Sequence, residues 1–331
     1  MSASGCTVET IRDQGQLALK LSNGLVSTTF LPAIGGKLSA IYHIPTGREW
    51  LARNPYLPHK PVVYDGDFVG EFDSAGLDEC FPAISAGPFP VAPWQGTLIP
   101  DHGEVWCQPW EWSLSGTTEA QIVLEGVCYG ARFPYRFART ITLDRGQSAL
   151  QLTYEVTNLS QFAFPFVWSI HPILNVSAGM EIVLPAGVDK LRLDGATSDY
   201  LGPAGSHHTW PIATDRAGRP LDLATIPSPD FQRASKFYTA PLSGDEPVVA
   251  GVREPAGPAL MFRFLPQEIS HIGLWMNWGG WSGCGSPPYF NLGLEPCIGG
   301  TDSLARAREM NEFATLPARQ SRRWHLAIEL S

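Results

Sequence analysis

Charge is scarce in this chain, and its sign is wrong for a polyanion partner. Asp, Glu, Lys and Arg make up 17% of the 331 residues, and the formal net charge is −9. Nucleic acids and anionic membranes both reward basic patches, so neither is an expected partner. No apolar run is long enough for a membrane-spanning helix, which takes about 20 residues. Met1–Gly15 has no basic stretch followed by an apolar one, so no secretory leader is expected. The six cysteines, Cys6, Cys80, Cys107, Cys128, Cys284 and Cys297, never fall in a C-x-x-C spacing. Structural zinc and redox pairs are therefore not expected, and reduced thiols in a cytoplasmic protein are the simpler reading. His207-His208 lies in a Ser/Gly loop with no third ligand at suitable spacing, so no metal site is expected there.

Turn chemistry, by contrast, is abundant. The 33 glycines and 29 prolines are spread along the chain, and 44% hydrophobic content can fill a large core. That favours many short strands over long helices. Leu17–Lys20 and Val26–Leu31 flank Asn23-Gly24, a hairpin signal. Leu150, Leu152, Tyr154 and Val156 alternate with Gln151, Thr153, Glu155 and Thr157, the period of a half-buried strand. Trp324, Leu326, Ile328 and Leu330 repeat the pattern near the C-terminus, and Trp112 and Trp324 read as core. Arg132, Arg136 and Arg139 read as solvated strand charges. Asp194–Pro229 reads as long loops, and residues 302–313 as one short helix capped by Asp302 or Ser303. No linker or repeat interrupts the chain. The expected architecture is all-β: one large antiparallel β-sandwich domain over residues 1–331, with at most short helices.

Two segments carry the chemistry. Ile170-His171-Pro172-Ile173-Leu174-Asn175 and Gly293-Leu294-Glu295-Pro296 each end an apolar run on a polar residue followed by proline, 124 residues apart. Proline cannot donate to a strand ladder, so each run is expected to stop there and leave its polar side chain at a sheet rim. A histidine and a glutamate that meet can move protons near neutral pH. A second histidine, His102, lies in the polar turn Pro100-Asp101-His102-Gly103-Glu104. Trp275, Asn277 and Trp278, followed by Gly279-Gly280-Trp281, precede the Glu295 segment; such rings stack on the C–H faces of sugars.

Taken together, His102, the His171-Pro172 segment with Asn175, and Asn291-Leu292-Gly293-Leu294-Glu295-Pro296-Cys297 resemble the galactose mutarotase (aldose 1-epimerase) family. Pro32-Ala33-Ile34-Gly35-Gly36-Lys37-Leu38 resembles the family's early Gly-Gly turn. The resemblance implies the galactose mutarotase-like supersandwich and an isomerase that interconverts the α and β anomers of a neutral hexose or related sugar, without a cofactor. It gives Glu295 the part of general base, His171 that of general acid, and His102 a hydrogen bond near the ring oxygen. Where better-known members carry an arginine, this chain reads Gly76-Leu77-Asp78-Glu79-Cys80. One of Asp78 and Glu79 is expected to reach the sugar, with Glu79 favoured for its longer side chain; neighbours on a strand face opposite ways. Trp275, Asn277, Trp278 and Asn175 complete the expected sugar-binding set. The expected assembly is a monomer or homodimer. The alternative is a non-catalytic carbohydrate-binding protein on the same fold.

Overall fold

Alternation of apolar and polar residues builds most of the structure, a computed structural model that describes residues 5–285 and 287–331. Met1–Ser4, part of the segment read for a leader, lie outside the described residues. Two antiparallel sheets dominate, one of twelve strands and one of eight. In the smaller sheet Glu111–Leu114, Gln121–Tyr129, Tyr135–Asp144, Ala149–Asn158 and Ser321–Leu330 lie side by side. Leu150, Leu152, Tyr154 and Val156 point inward and are buried, as are Trp324, Leu326, Ile328 and Leu330. The two sheets pack face to face: Glu79 of the larger one bonds Arg139 and Tyr154 of the smaller one. No helix among the described residues is long and apolar enough to cross a membrane.

The Asn23-Gly24 turn joins Gln16–Ser22 to Val26–Leu31 as expected, and the Asn23 side chain accepts from the Leu25 and Val26 amides. The one α-helix among the described residues, Leu304–Glu309, is capped by Ser303, whose hydroxyl accepts from the Arg306 amide. Four expectations need correction. The 194–229 region holds short paired strands, among them His207–Thr209 and the Ile212–Thr214/Pro220–Asp222 ribbon. Trp112 is on an edge strand and 41% exposed. Arg139 is fully buried rather than solvated.

The fourth concerns the prolines. The strands run through both of them, as Trp168–Leu174 and Phe290–Ile298. Their ladder instead opens between the Ser169–Cys297 and Ile173–Gly293 pairs. The donors that Pro172 and Pro296 lack are missing in this gap, and the sheet tolerates it because neighbouring pairs close on either side.

Candidate active site

Five adjacent strands of the larger sheet form the floor: Gly76–Cys80, Trp168–Leu174, Phe290–Ile298, His271–Trp278 and Arg233–Thr239. Directly opposed residues on neighbouring strands share a face. One such row contains Asp78, His171, Glu295, Gly273 and Tyr238; the next contains Gly76, Ile173, Gly293, Trp275 and Lys236. His171 and Glu295 therefore meet across the ladder gap, with Nε2 and Oε1 3.8 Å apart. The glycines make room for the carboxylate. A Cβ on Gly293 would lie 2.7 Å from Glu295 Oε1, and one on Gly273 3.1 Å from Oε2.

Above this floor is an open cleft of about 190 Å³. His171, Lys236, Trp275 and Asn291 come from the floor. Phe68, Val69 and Asp73 come from a single wide turn, in which the Asp73 amide donates to the Phe68 carbonyl five residues back. Asp101 and His102 come from a loop, and Trp281, Tyr289 and Asp302 from segments flanking the Glu295 strand. His102 has φ 59°, in the left-handed region, and its amide donates to the Ile84 carbonyl at 2.6 Å. Its ring stacks on Phe68 at 3.8 Å and stands edge-on to His171, at 89° and 5.1 Å between centroids.

The two histidines differ electrostatically. Burial pushes His102 down, but Asp101, whose Oδ2 is 3.1 Å from Nδ1, outweighs it and the group ends above its ordinary range. Burial pushes His171 well down, and His102, Lys236 and Lys37 push it the same way. His102 thus favours the cation and His171 the neutral ring. Burial raises Glu295, opposed by Lys236 and reinforced by Asp302. Lys236 Nζ donates to Glu295 Oε2 and lies 3.8 Å from Asp302 Oδ1, so a lysine bridges two carboxylates. Burial works against its charge, yet Glu295 and Asp302 keep the lysine's pKa raised. Glu295 Oε1 and Asn291 Oδ1 are buried without hydrogen-bond partners, as is His171 Nδ1. Unsatisfied buried polar atoms around a cleft suit a polar ligand.

The structure brings together His102, His171, Glu295 and Trp275 and separates the other expected site residues. Glu79 is on the opposite face, in the core between the sheets, because its neighbour Asp78 takes the cleft-side row. Asp78 does not line the cleft; it is buried against Lys37, which donates to it and to the Ala75 carbonyl. Asn277 is buried beneath the following turn, where it bonds the Trp281 carbonyl and the Gly280 amide. Trp278 points to the other face and packs on Phe290. Asn175 is exposed past the strand end, donating to the Glu49 carbonyl. Glu295 lies under the cleft wall rather than on it, with no exposed surface. Lys236, Asp302 and Asp73 were not expected; Trp281 had been noted only among the rings before the Glu295 segment, and Asn291 only as part of that segment. The place of Lys236 beside Trp275 depends on strand register, and Asp302 had been read only as a helix cap.

No family model and no curated protein matches the sequence. Solved structures do match over nearly the whole chain. A protein provisionally named aldose 1-epimerase from Klebsiella pneumoniae aligns with a TM-score of 0.72 at 15% identity, over 98% of this chain and 83% of that one. A galactose mutarotase-like protein from Clostridium acetobutylicum gives 0.67 at 14%, over 99% of both chains. The Slr1438 protein from Synechocystis sp. PCC 6803 gives 0.64 at 17%, over 100% of this chain and 98% of its own. Element order, sheet arrangement and these alignments agree: the chain has the galactose mutarotase-like sandwich fold.

Proposed function

We propose that the chain is an aldose 1-epimerase-type isomerase that opens and recloses the ring of a neutral sugar. One observation carries this reading. Two histidines of opposite protonation preference stand at right angles, 5.1 Å apart, in a carboxylate-rich cleft. Groups whose environments drive their pKa values apart are suited to acid and base roles. Ring opening removes the proton of the anomeric hydroxyl and protonates the ring oxygen. His102, which favours the cation, is the better acid; the neutral His171 suits a hydrogen bond to the substrate. This reverses the parts that the family resemblance gave the two histidines. A carboxylate of the site is the base, and Glu295 is the one that the resemblance names.

The test is anomer exchange by NMR on α-glucose and α-galactose. Exchange above the spontaneous rate, lost in a His102→Asn/His171→Asn double variant, supports the reading; no exchange on any aldose removes it. A second reading, a non-catalytic sugar-binding protein, has its own observation. His171 and Glu295 are too close to flank a sugar, and Lys236 occupies one oxygen of the glutamate. Calorimetric binding without exchange selects it.

Charge gives a further expected result. Asp73, Asp101 and Asp302 line the cleft, no arginine among the described residues does, and Lys236 is already shared by two carboxylates. A phosphate brought against them meets like charge without the bidentate donors that would offset its desolvation. Hexose 6-phosphates should therefore show kcat/KM at least about tenfold below the parent hexoses, about 1.4 kcal/mol in transition-state terms. Equal or faster turnover of glucose 6-phosphate would contradict this charge argument.

A further inference from the structure

We infer that Asp302, rather than Glu295, is the carboxylate that exchanges a proton with the substrate. The inference rests on the ring-opening reading and goes beyond it by reassigning the base. A base must come within hydrogen-bond reach of the proton it takes. Glu295 has no exposed surface, and Lys236 holds its Oε2. Asp302 lines the cleft, and its side chain is 29% exposed.

The geometry around Asp302 is that of a held base. Oδ1 accepts from the Tyr238 hydroxyl and lies 3.8 Å from Lys236 Nζ. Among the described residues no hydrogen bond engages Oδ2, which leaves it for a ligand. The backbone is fixed as well: the Asp302 carbonyl accepts from the Ile84 and Ser85 amides, both at 3.0 Å. Ser303 then starts the helix that follows. The other two cleft carboxylates are less suited. Asp101 is paired with His102, and Asp73 ends the wide turn, where its Oδ1 accepts from the Ala75 amide at 3.3 Å. Glu295 becomes a positioning residue, fixing Lys236 from below while Lys236 steadies Asp302.

In the ring-opening step Asp302 Oδ2 takes the proton of the C1 hydroxyl, and the oxygen's electron pair forms the C1 carbonyl. The C1–O5 bond breaks, and its pair goes to O5, which takes a proton from the His102 imidazolium. The open chain then carries an aldehyde at C1 and a hydroxyl at C5, with Asp302 protonated and His102 neutral. Rotation about C1–C2 and the reverse transfers give the other anomer and restore both groups. Atoms and electrons balance without a further reactant.

The experiment compares Asp302→Asn, Asp73→Asn, Glu295→Gln and Tyr238→Phe by anomer-exchange NMR from pH 5 to 9, with calorimetric sugar binding. Asp302→Asn should lower kcat by about 10²–10⁴-fold, the usual contribution of a general base, while sugar Kd stays within about threefold. Asp73→Asn and Glu295→Gln should each lower kcat by less than Asp302→Asn does. Tyr238→Phe removes one donor that holds the carboxylate, so kcat should fall several-fold while sugar Kd is unchanged. This last variant keeps the proposal testable should Asp302→Asn fail to fold. Near-normal kcat in Asp302→Asn, or a larger loss in Glu295→Gln or Asp73→Asn, overturns the assignment. Unchanged kcat in Tyr238→Phe also counts against it. A wild-type protein that binds sugars without exchange removes the ring-opening reading and this role together, which separates the two failures.

Discussion

Replacing Glu79 by alanine should destabilise the protein by about 3–5 kcal/mol and leave sugar affinity untouched in whatever fraction stays folded. The glutamate has no exposed surface. Its Oε1 accepts from Arg139 Nη1 and from the Tyr154 hydroxyl, each at 2.9 Å, and Oε2 accepts from Trp168 Nε1 at 2.9 Å. Arg139 also donates to the Gly36 carbonyl, and its guanidinium lies over the rings of Trp110 and Phe30 at 5.1 and 5.8 Å. Removing the carboxylate strands a buried cation, whose desolvation nothing then offsets. Replacing both partners with apolar residues, as in Glu79→Leu/Arg139→Met, should recover most of the loss, because no charge is then left unpaired. Urea melts of the two single variants and the double variant measure this coupling directly. A Glu79→Ala protein of normal stability with a raised KM would put Glu79 in the cleft after all.

That expectation turns on a fact of one residue's parity, which also shows what sequence reading could reach. Alternation identified the inward faces of Leu150–Val156 and Trp324–Leu330, since a period of two is a local property. It also required Asp78 and Glu79 to diverge, and they do. The pattern could not say which of them faced the cleft, because both sides of this strand are buried. Arg139 was misread for a related reason. A fully buried arginine is rare, and its partner Glu79 is 60 residues away in the chain. His102, His171 and Glu295 were legible because His-Pro, Glu-Pro and a histidine turn are short local signatures. Lys236 and Asp302 were not, since their meaning comes from register: Lys236 lies across from Trp275, and Asp302 touches Tyr238 and Lys236 only once the sheet is assembled. The proline signal singled out two residues that meet in the fold, but through a wrong mechanism. The prolines mark an opening within the ladder rather than its end, and the opening is where the histidine and glutamate sit.

The second large effect is acid lability centred on His271. This histidine is 2% exposed, opposite Cys297 at the start of its strand. Its Nδ1 contacts the Ser270 hydroxyl at 2.8 Å, and Nε2 is buried without a hydrogen bond, 3.9 Å from Glu312 Oε2. Burial, with Arg192 nearby, lowers its pKa to about 4, against an unfolded value of 6.5. Between those limits the unfolded chain binds a proton that the folded chain refuses. Stability from this group is therefore complete above pH 6.5 and falls as the pH drops toward 4. At about 1.4 kcal/mol per unit, the loss across the window is about 3 kcal/mol. Glu79 acts in the opposite sense. Burial, only partly countered by Arg139, Tyr154 and Trp168, raises its pKa from 4.5 to about 7, so its folded form takes up a proton first and gains as the pH falls through that range. His59, also lowered to about 4 by burial and Lys37, adds a loss of the same sign as His271. The wild-type curve mixes these with other shifted buried groups, His171, His102 and Glu295 among them, so the informative quantity is a difference. His271→Gln keeps a polar partner for Ser270 and removes the titration. Its stability relative to wild type, from urea melts at pH 7 and pH 4.5, should improve by about 2–3 kcal/mol on acidification. Parallel stability–pH curves for the two proteins would show that His271 is charged, or solvated, in the folded state.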